Sequence, residues 1–271
     1  MAPVTERPRT PLPLSVSIVC KDNQATIGRT LASVRGLASE IVAVDSGSTD
    51  GTLDLLRGAG ARVIEEPWRG FVKQKQFALE HCGQAWVLHL DSDESVTPAL
   101  AGAIREAIER DPKDVGGCAI NRRVWWGDHE LRHAWQPEWR LRLVRNGAAK
   151  WGGYDPHDAM ELTDASLRTM RLDRGAVMRH DSILTLTDFM EKQARHARVA
   201  ARSYHAMGRR GSTLKMITSP VGAWCKMVLL KGAWRDGWRG MCAASVASMN
   251  AMMKHGALLE LQRSRSDHDP T

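Results

Sequence analysis

From Val16 to Arg110 short apolar runs alternate with longer segments of helical spacing. "VSIVC", "EIVAVD", "ARVIEE" and "AWVLHLD" read as strands, and "TIGRTLASVRGLA", "GTLDLLRGAG", "FVKQKQFALEHC" and "TPALAGAIREAIER" as the helices that follow them. Strand then helix, four times over, predicts an α/β fold: a mostly parallel sheet with helices on both faces. Thr97 before Pro98 marks a helix start, because Thr caps free amides and proline is tolerated in the first turn. In open α/β sheets ligands bind beyond the carboxyl ends of the strands. Two acid-bearing loops, "DSGSTDGT" and "DSDES", fall at such ends.

Between Val115 and Val177 the pattern changes to short strands, Trp-rich loops and isolated acids. After His180 it becomes helical, with "LTDFMEKQARHARVAARSYHAM" the clearest amphipathic run. The expected organisation is a flexible leader over 1–14, an α/β domain over 15–180, a basic amphipathic helical extension over 181–262 and a flexible tail over 263–271. The leader has four prolines and no apolar h-region, so it does not read as a secretory signal. The longest uncharged stretch of the extension, "GMCAASVASMNAMM", has 14 residues, short of the roughly 18 to 20 that span a bilayer.

With 271 residues and 43% hydrophobic content, the chain has ample material for a core, and intrinsic disorder is excluded. Its 38 Lys and Arg against 31 Asp and Glu favour an anionic partner. That excess is local: residues 191–240 hold eleven Lys and Arg against two acids, a balance of +9, leaving 7 − 9 = −2 for the remainder. Trp224, Trp234 and Trp238 lie among Lys226, Lys231, Arg235 and Arg239, a pattern for helices lying on an anionic membrane surface. The alternative is an ordinary helical subdomain with a solvated basic face. Five cysteines, 20, 82, 118, 225 and 242, form no C-x-x-C pair. They read as reduced cytosolic thiols, with no disulfide framework or zinc knuckle expected.

Asp91, Asp93 and Glu94 follow a buried-looking strand so closely that they require a positive partner. Carboxylates spaced i, i+2 at a strand end can meet a divalent cation together with phosphate oxygens, and Mg²⁺ or Mn²⁺ is the expected one. The alternative is a solvated acidic turn before a helix, with Glu94 favoured by the helix dipole. Asp45, at the end of an earlier strand, can accept hydrogen bonds from a nucleobase or ribose, while Gly47 and Ser48 permit a tight turn. Its alternative is a capped turn. Neither a P-loop nor a dinucleotide fingerprint occurs. Lys73 and Lys75 are candidate diphosphate partners.

In order along the chain, "EIVAVDSGSTDGT", "GFVKQKQFAL", "WVLHLDSDESVTPAL", "PEWRLRLVRNG", "PHDAM" and "KGAWRDGWRG" resemble the inverting glycosyltransferases of family 2, with the GT-A fold. Within that family the chain is most similar to bacterial lipopolysaccharide core glucosyltransferases and their relatives. The resemblance implies a GT-A catalytic domain whose Asp45–Ser46 loop, Lys75 and Asp91 hold a nucleotide-sugar donor. It implies that Asp91 and Asp93 form the D-x-D pair on the metal, and that Asp158, after His157, is the general base, with Asp155 in reserve. The family's early Asn-Glu pair is Asp22-Asn23 here, its usual Glu after the His is Asp158, and the Asn after its Gln-Lys is Gln76. Trp125, Trp126, Trp135, Trp139 and Trp151 are expected near the acceptor, one or two of them touching sugar. Arg140, Arg142 and Arg145 either meet acceptor phosphates or line an exposed edge.

The function so implied is transfer of a hexose, glucose from UDP-glucose, onto a heptose of the lipopolysaccharide inner core. The glycolipid acceptor places the protein in the cytoplasm, peripheral at the inner face of the cytoplasmic membrane. No nucleic-acid partner is expected. Two rivals are a non-catalytic basic protein binding membrane or nucleic acid through residues 191–240, and a nucleotidyltransferase, which releases pyrophosphate.

Overall fold

The computed structural model describes residues 10–155 and 157–266, with the side chains of 264–266 left aside. In chain order the elements are β1 (Leu12–Cys20), α1 (Gln24–Val34), β2 (Ala38–Asp45), α2 (Thr52–Gly58), β3 (Arg62–Glu65), α3 (Phe71–Glu80), β4 (Trp86–Asp91), β5 (Glu94–Val96) and α4 (Pro98–Arg110). There follow β6 (Val115–Trp126), β7 (His129–Glu130), β8 (Trp139–Arg145), β9 (Ala149–Tyr154), β10 (His157–Leu162), β11 (Arg168–Arg171) and β12 (Val177–Ile183). The remainder is α5 (Leu186–Ala206), α6 (Thr213–Cys225), a π-helical turn (Lys226–Leu230), a 3-10 turn (Ala233–Asp236) and α7 (Gly237–Ser266).

The described chain forms two compact units. The first comprises residues up to Arg122, Trp139–Gly153 and Asp158–His180; the second comprises Arg123–Glu138, Tyr154–His157 and the residues from Asp181 onward.

In the first unit the predicted alternation gives a parallel array, β3-β2-β1-β4, which continues antiparallel into β8 and β6. β1 lies in the middle of the array, so it is buried on both faces and reads as a nearly continuous apolar run. Its start needs correction: Leu12 and Leu14, expected in the leader, are buried strand residues. Pro13 between them falls at a register shift in the pairing with β2, where proline's missing N–H is tolerated. The first nine residues of the expected leader lie outside the described residues. At the other end α7 continues to Ser266, beyond the expected start of a tail at 263.

Helix spacing explains the packing. α1 buries Ile27, Thr30, Leu31 and Val34, and α4 buries Leu100, Ile104, Ala107 and Ile108, each one face of a 3.6-residue period. Thr97 caps α4 as expected, its hydroxyl accepting from the Leu100 amide at 3.3 Å with Pro98 in the first turn. α3 departs from the pattern, because the face it buries carries Gln74 and Lys75 beside Ala78 and Leu79. A lysine on the inner face of a helix requires a partner.

The second unit centres on α5, α6 and α7, with Trp126, Leu131 and Ala134 packed against Phe189, Met227 and Ala233. That packing assigns Arg123–Glu138, read above with the α/β half, to this unit. Asp236 anchors it by accepting from the amides of Arg132, His133 and Ala134 at 2.8–2.9 Å. In the same "KGAWRDGWRG" segment any side chain at Gly240 would meet the Ala233 carbonyl at 1.9 Å, so glycine is required there.

Candidate active site

Two loops at the carboxyl ends of β1 and β2 are knitted together. Asp22 accepts from the Thr49 amide at 2.7 Å, and Asp50 accepts from the amides of Gln24 and Thr52 at 3.0 Å. Asp45 is fully buried and accepts from the amides of Gly47 and Ser48 at 2.9 and 2.8 Å and from the Ser48 hydroxyl. Gly47 has φ +86°, a conformation L side chains rarely adopt. The Asp45 carboxylate therefore shapes this loop from beneath. Ser46 is also buried, its hydroxyl accepting from Gln74 of α3 at 3.0 Å.

β4 delivers Asp91, and the protein supplies its cations. Lys75 Nζ lies 2.8 Å from Asp91 Oδ1, and Arg142 of β8 reaches Oδ2 at 2.9 Å. Arg142 also bridges to Glu94 at 3.2 Å, where Arg122 adds a second contact at 3.2 Å. Burial raises the Asp91 carboxyl, but Lys75, then Arg142 and the His89 hydrogen bond, outweigh it and hold it well below the usual carboxylate range. His89, buried between Ser17 and Asp91 at 3.3 Å from each, is pushed down to about 4, chiefly by desolvation. It is neutral at pH 7, and its Nε2–H donates to Asp91 while Nδ1 accepts from Ser17.

Glu94 opens no helix, as the dipole reading required. It lies in β5, fully buried, with Oε2 accepting from the Asp91 amide at 2.9 Å. β5 pairs antiparallel with β12, placing His180 opposite Glu94. His180 Nε2 is consequently 3.3 Å from Asp93 Oδ2. The two acids of the D-x-D pair thus have different partners: Asp91 is held by Lys75 and Arg142, and Asp93 faces His180.

Asp158, on β10, joins the cluster through Lys75, whose Nζ is 2.8 Å from Asp158 Oδ2. One buried ammonium therefore joins Asp158 to Asp91, beneath the Trp151 ring at 4.9 Å. Asp155 belongs to the second unit, where its backbone carbonyl accepts from Ser203. Lys73 is exposed. Gln76 accepts from the Trp151 amide at 2.8 Å, fixing Trp151 to α3.

The arginines of "RLRLVR" divide by face. Arg142 is 4% exposed and serves the acids, so an exposed edge does not describe it. Arg145 donates to the carbonyls of Val115 and Pro112 at 2.8 and 3.0 Å. Among the tryptophans, Trp126 packs on Phe189 and Trp238 in the second unit, and Trp139 lies under Arg171. Trp151, 6% exposed, lies against Lys75, Arg142 and His89. A cavity of about 280 Å³ adjoins Trp151 and is lined also by Arg69, Lys73 and Gln76.

Four buried polar atoms in this neighbourhood lack a hydrogen-bond partner: Arg142 Nε and Nη1, Trp151 Nε1 and His180 Nδ1. Such clustering marks a place completed by water or a ligand. Among the described residues no three His, Cys, Asp or Glu side chains gather closely enough to hold a metal ion alone. Asp93 Oδ2 and His180 Nε2, however, have the spacing of neighbouring ligands on one small cation, about 3 Å when each bond is about 2.1 Å. These residues fit a divalent cation that takes its other ligands from a donor's phosphates.

The chain matches the family model described as Glycosyl transferase family 2 over residues 15–183. It is 30% identical over 247 residues to the lipopolysaccharide core biosynthesis glycosyltransferase LpsC of Rhizobium meliloti, covering 89% of this chain and 90% of that one. It is 40% identical over 91 residues to an uncharacterized glycosyltransferase of Rickettsia typhi, covering 34% and 31% of the two chains. Among solved structures, S. aureus TarS 1-349 aligns at TM-score 0.47 and 15% identity, covering 94% of this chain and 92% of that one. The mannosyltransferase PcManGT from Pyrobaculum calidifontis, in complex with GDP-Man and Mn²⁺, aligns at TM-score 0.47 and 18% identity, covering 97% and 83%. With a family model spanning more than half of the chain and a relative matched along 90% of its length, this protein belongs to glycosyltransferase family 2.

Proposed function

We propose that the protein transfers a hexose, glucose from UDP-glucose, onto a hydroxyl of a lipopolysaccharide core acceptor, with inversion at the sugar carbon. The observation that carries the reading is the Lys75 bridge between Asp91 and Asp158. It joins a strand-end acid suited to the donor side to the acid proposed as base. The acceptor class rests on the likeness to LpsC, named for lipopolysaccharide core biosynthesis.

The knitted loops after β1 and β2 form the nucleoside side of the site, with Asp45 and Ser46 holding their shape. The donor diphosphate lies beyond β4. Asp93 and His180 would hold the cation there, Mg²⁺ or Mn²⁺, which when bound offsets the charge developing on the leaving diphosphate. Asp158 takes the proton of the acceptor hydroxyl on the opposite face of the sugar. Lys75 Nζ occupies Asp158 Oδ2 at 2.8 Å, so Lys75 has to shift its contact for that oxygen to meet the acceptor hydroxyl. An arriving diphosphate competes for the same ammonium and draws it away. Donor binding in this way readies the base.

The protein acts at the inner face of the cytoplasmic membrane, where a glycolipid acceptor is presented. Among the described residues no helix is long and apolar enough to cross a membrane. The test is a donor screen with and without divalent cation. Release of a nucleoside diphosphate from UDP-glucose, accelerated by acceptor, supports the reading. Pyrophosphate release instead supports nucleotidyl transfer.

A further inference from the structure

α6 buries none of its residues among its neighbours. Leu214, Ile217 and Val221 on it are 70%, 62% and 62% exposed. At about 100° per residue they fall within an arc of about 60°. The opposite side, at Ser219, contacts α7 through His255 at 3.4 Å, and the Pro220 carbonyl accepts from Ser248 of α7 at 2.8 Å. The rod then runs on as the π-helical turn, whose Leu229 and Leu230 are 68% and 81% exposed. Contiguous exposed apolar surface of this kind marks an interaction site.

We propose that this outward face of α6 and the π-helical turn is a docking surface for an anionic phospholipid bilayer. The proposal deepens the membrane-side placement given above and rests on that reading for where the bilayer is met. Charge selects the occupant. No acid occurs from Gly211 to Arg235, and the surrounding residues 191–240 carry a balance of +9. Lys215 and Lys226, both exposed, lie about 100° and 120° around the helix from Leu214, between the stripe and the α7-facing side. An exposed aliphatic stripe on a helix in an acid-free, basic segment is the pattern of an interfacial helix.

Of the Trp and basic residues expected to play this part, some are engaged within their unit, while Trp234 and Trp238 are 57% and 60% exposed. Trp224 is half-buried against the core of its unit, and Lys231 donates to the Gln136 carbonyl at 2.9 Å. Arg235 and Arg239 lie over Trp234 and Trp238 at 5.2 and 4.6 Å from the ring centres. The aliphatic part of the docking face falls on α6 and the π-helical turn.

Sedimentation of the full chain with phosphatidylcholine vesicles, with and without phosphatidylglycerol, at low and high salt, tests the proposal. Wild type should bind the anionic vesicles at low salt and much less at high salt. The triple variant Leu214→Ser, Ile217→Ser, Val221→Ser should bind at least about tenfold more weakly. The double variant Lys215→Glu, Lys226→Glu should lose the preference for anionic lipid. All three side chains of the stripe are exposed, so circular dichroism and sugar-nucleotide turnover on a soluble acceptor should match wild type. Failure of wild type to bind, or wild-type binding by the triple variant, overturns the proposal. A dimer abolished by the triple variant, without vesicle binding, makes the face a self-interface and overturns it too. Because turnover is read separately, absence of vesicle binding by the wild-type protein with intact transfer refutes the docking face alone. Vesicle binding without transfer refutes the proposed reaction alone.

Discussion

Lys75 Nζ lies 2.8 Å from Asp158 Oδ2 and 2.8 Å from Asp91 Oδ1, so one ammonium on the inner face of α3 links a β4 strand end to β10. Its side chain is 5% exposed, against 24% for Asp91 and 12% for Asp158. Removing it leaves Asp158 without this counter-ion and Asp91 with Arg142. Lys75→Met should lower stability by about 3 kcal/mol, the usual order for breaking such a buried pair. Urea unfolding measures this. The same variant should bind the donor more weakly if the ammonium passes to the diphosphate; unchanged donor affinity contradicts that role.

Asp45 gives a different signature. Oδ1 accepts two amides of its own loop and Oδ2 accepts from the Ser48 hydroxyl and the Cys20 thiol, so Asp45→Ala should destabilise the donor-free protein by about 1–3 kcal/mol, as loss of a buried acceptor of backbone amides does. Donor affinity should fall along with the melting temperature. A stable Asp45→Ala protein that had lost only donor affinity would assign the carboxylate to the ligand.

Asp93 and His180 should act as a pair. Asp93→Ala and His180→Ala should each abolish the cation dependence of nucleotide binding while leaving the fold intact, read by thermal shift with UDP and Mn²⁺. Were His180→Ala to keep the wild-type cation response, Asp93 would have to find its second ligand elsewhere.

Acid should weaken the fold through His89. Its folded value of about 4 lies below the ordinary 6.5, so the neutral form is favoured by folding. The stabilisation is complete above pH 6.5 and is lost as pH falls toward 4, at up to about 1.4 kcal/mol per pH unit. Asp91, held below its ordinary value, adds a further loss only below the ordinary carboxylate range. His89→Gln keeps a donor toward Asp91 without titrating, and it should flatten the stability profile between pH 6.5 and 4. A parallel profile for the two proteins removes His89 as the cause.

The alternation of apolar runs in the first half was legible because each strand is followed by its own helix, and local spacing reports both. The acids at the strand ends were legible for the same reason. Their cations were not. Arg142 reaches Asp91 because β8, some fifty residues later, enters the sheet beside β4 with Leu143 opposite Leu88. "RLRLVR" alternates as on a half-exposed strand, but β8 has both edges paired, to β4 and β6, and the successive residues Arg142, Leu143 and Val144 are buried, so both faces are covered there. Had β8 been placed there, a buried arginine seeking acids would have followed. Lys75 carried a signal in the buried polar pair on α3, masked by the general solubility of lysines on helices. His180 carried none, since it reaches Asp93 through the three-residue strand β5. The second unit collects Trp126 and Leu131 from mid-chain by apolar packing alone, which no local pattern reports.

Transfer by Asp158→Asn, measured beside donor affinity, bears most directly on the proposed chemistry. The amide keeps size and most hydrogen bonding but cannot accept the acceptor's proton. Transfer should fall by about 10² to 10⁴-fold, while UDP-glucose affinity stays at or above wild type, because the Lys75 ammonium no longer has to leave a charged Asp158, Mn²⁺ affinity stays near wild type and Asp155→Asn remains active. Normal transfer by Asp158→Asn together with a dead Asp155→Asn would contradict the assignment and move the base three residues upstream.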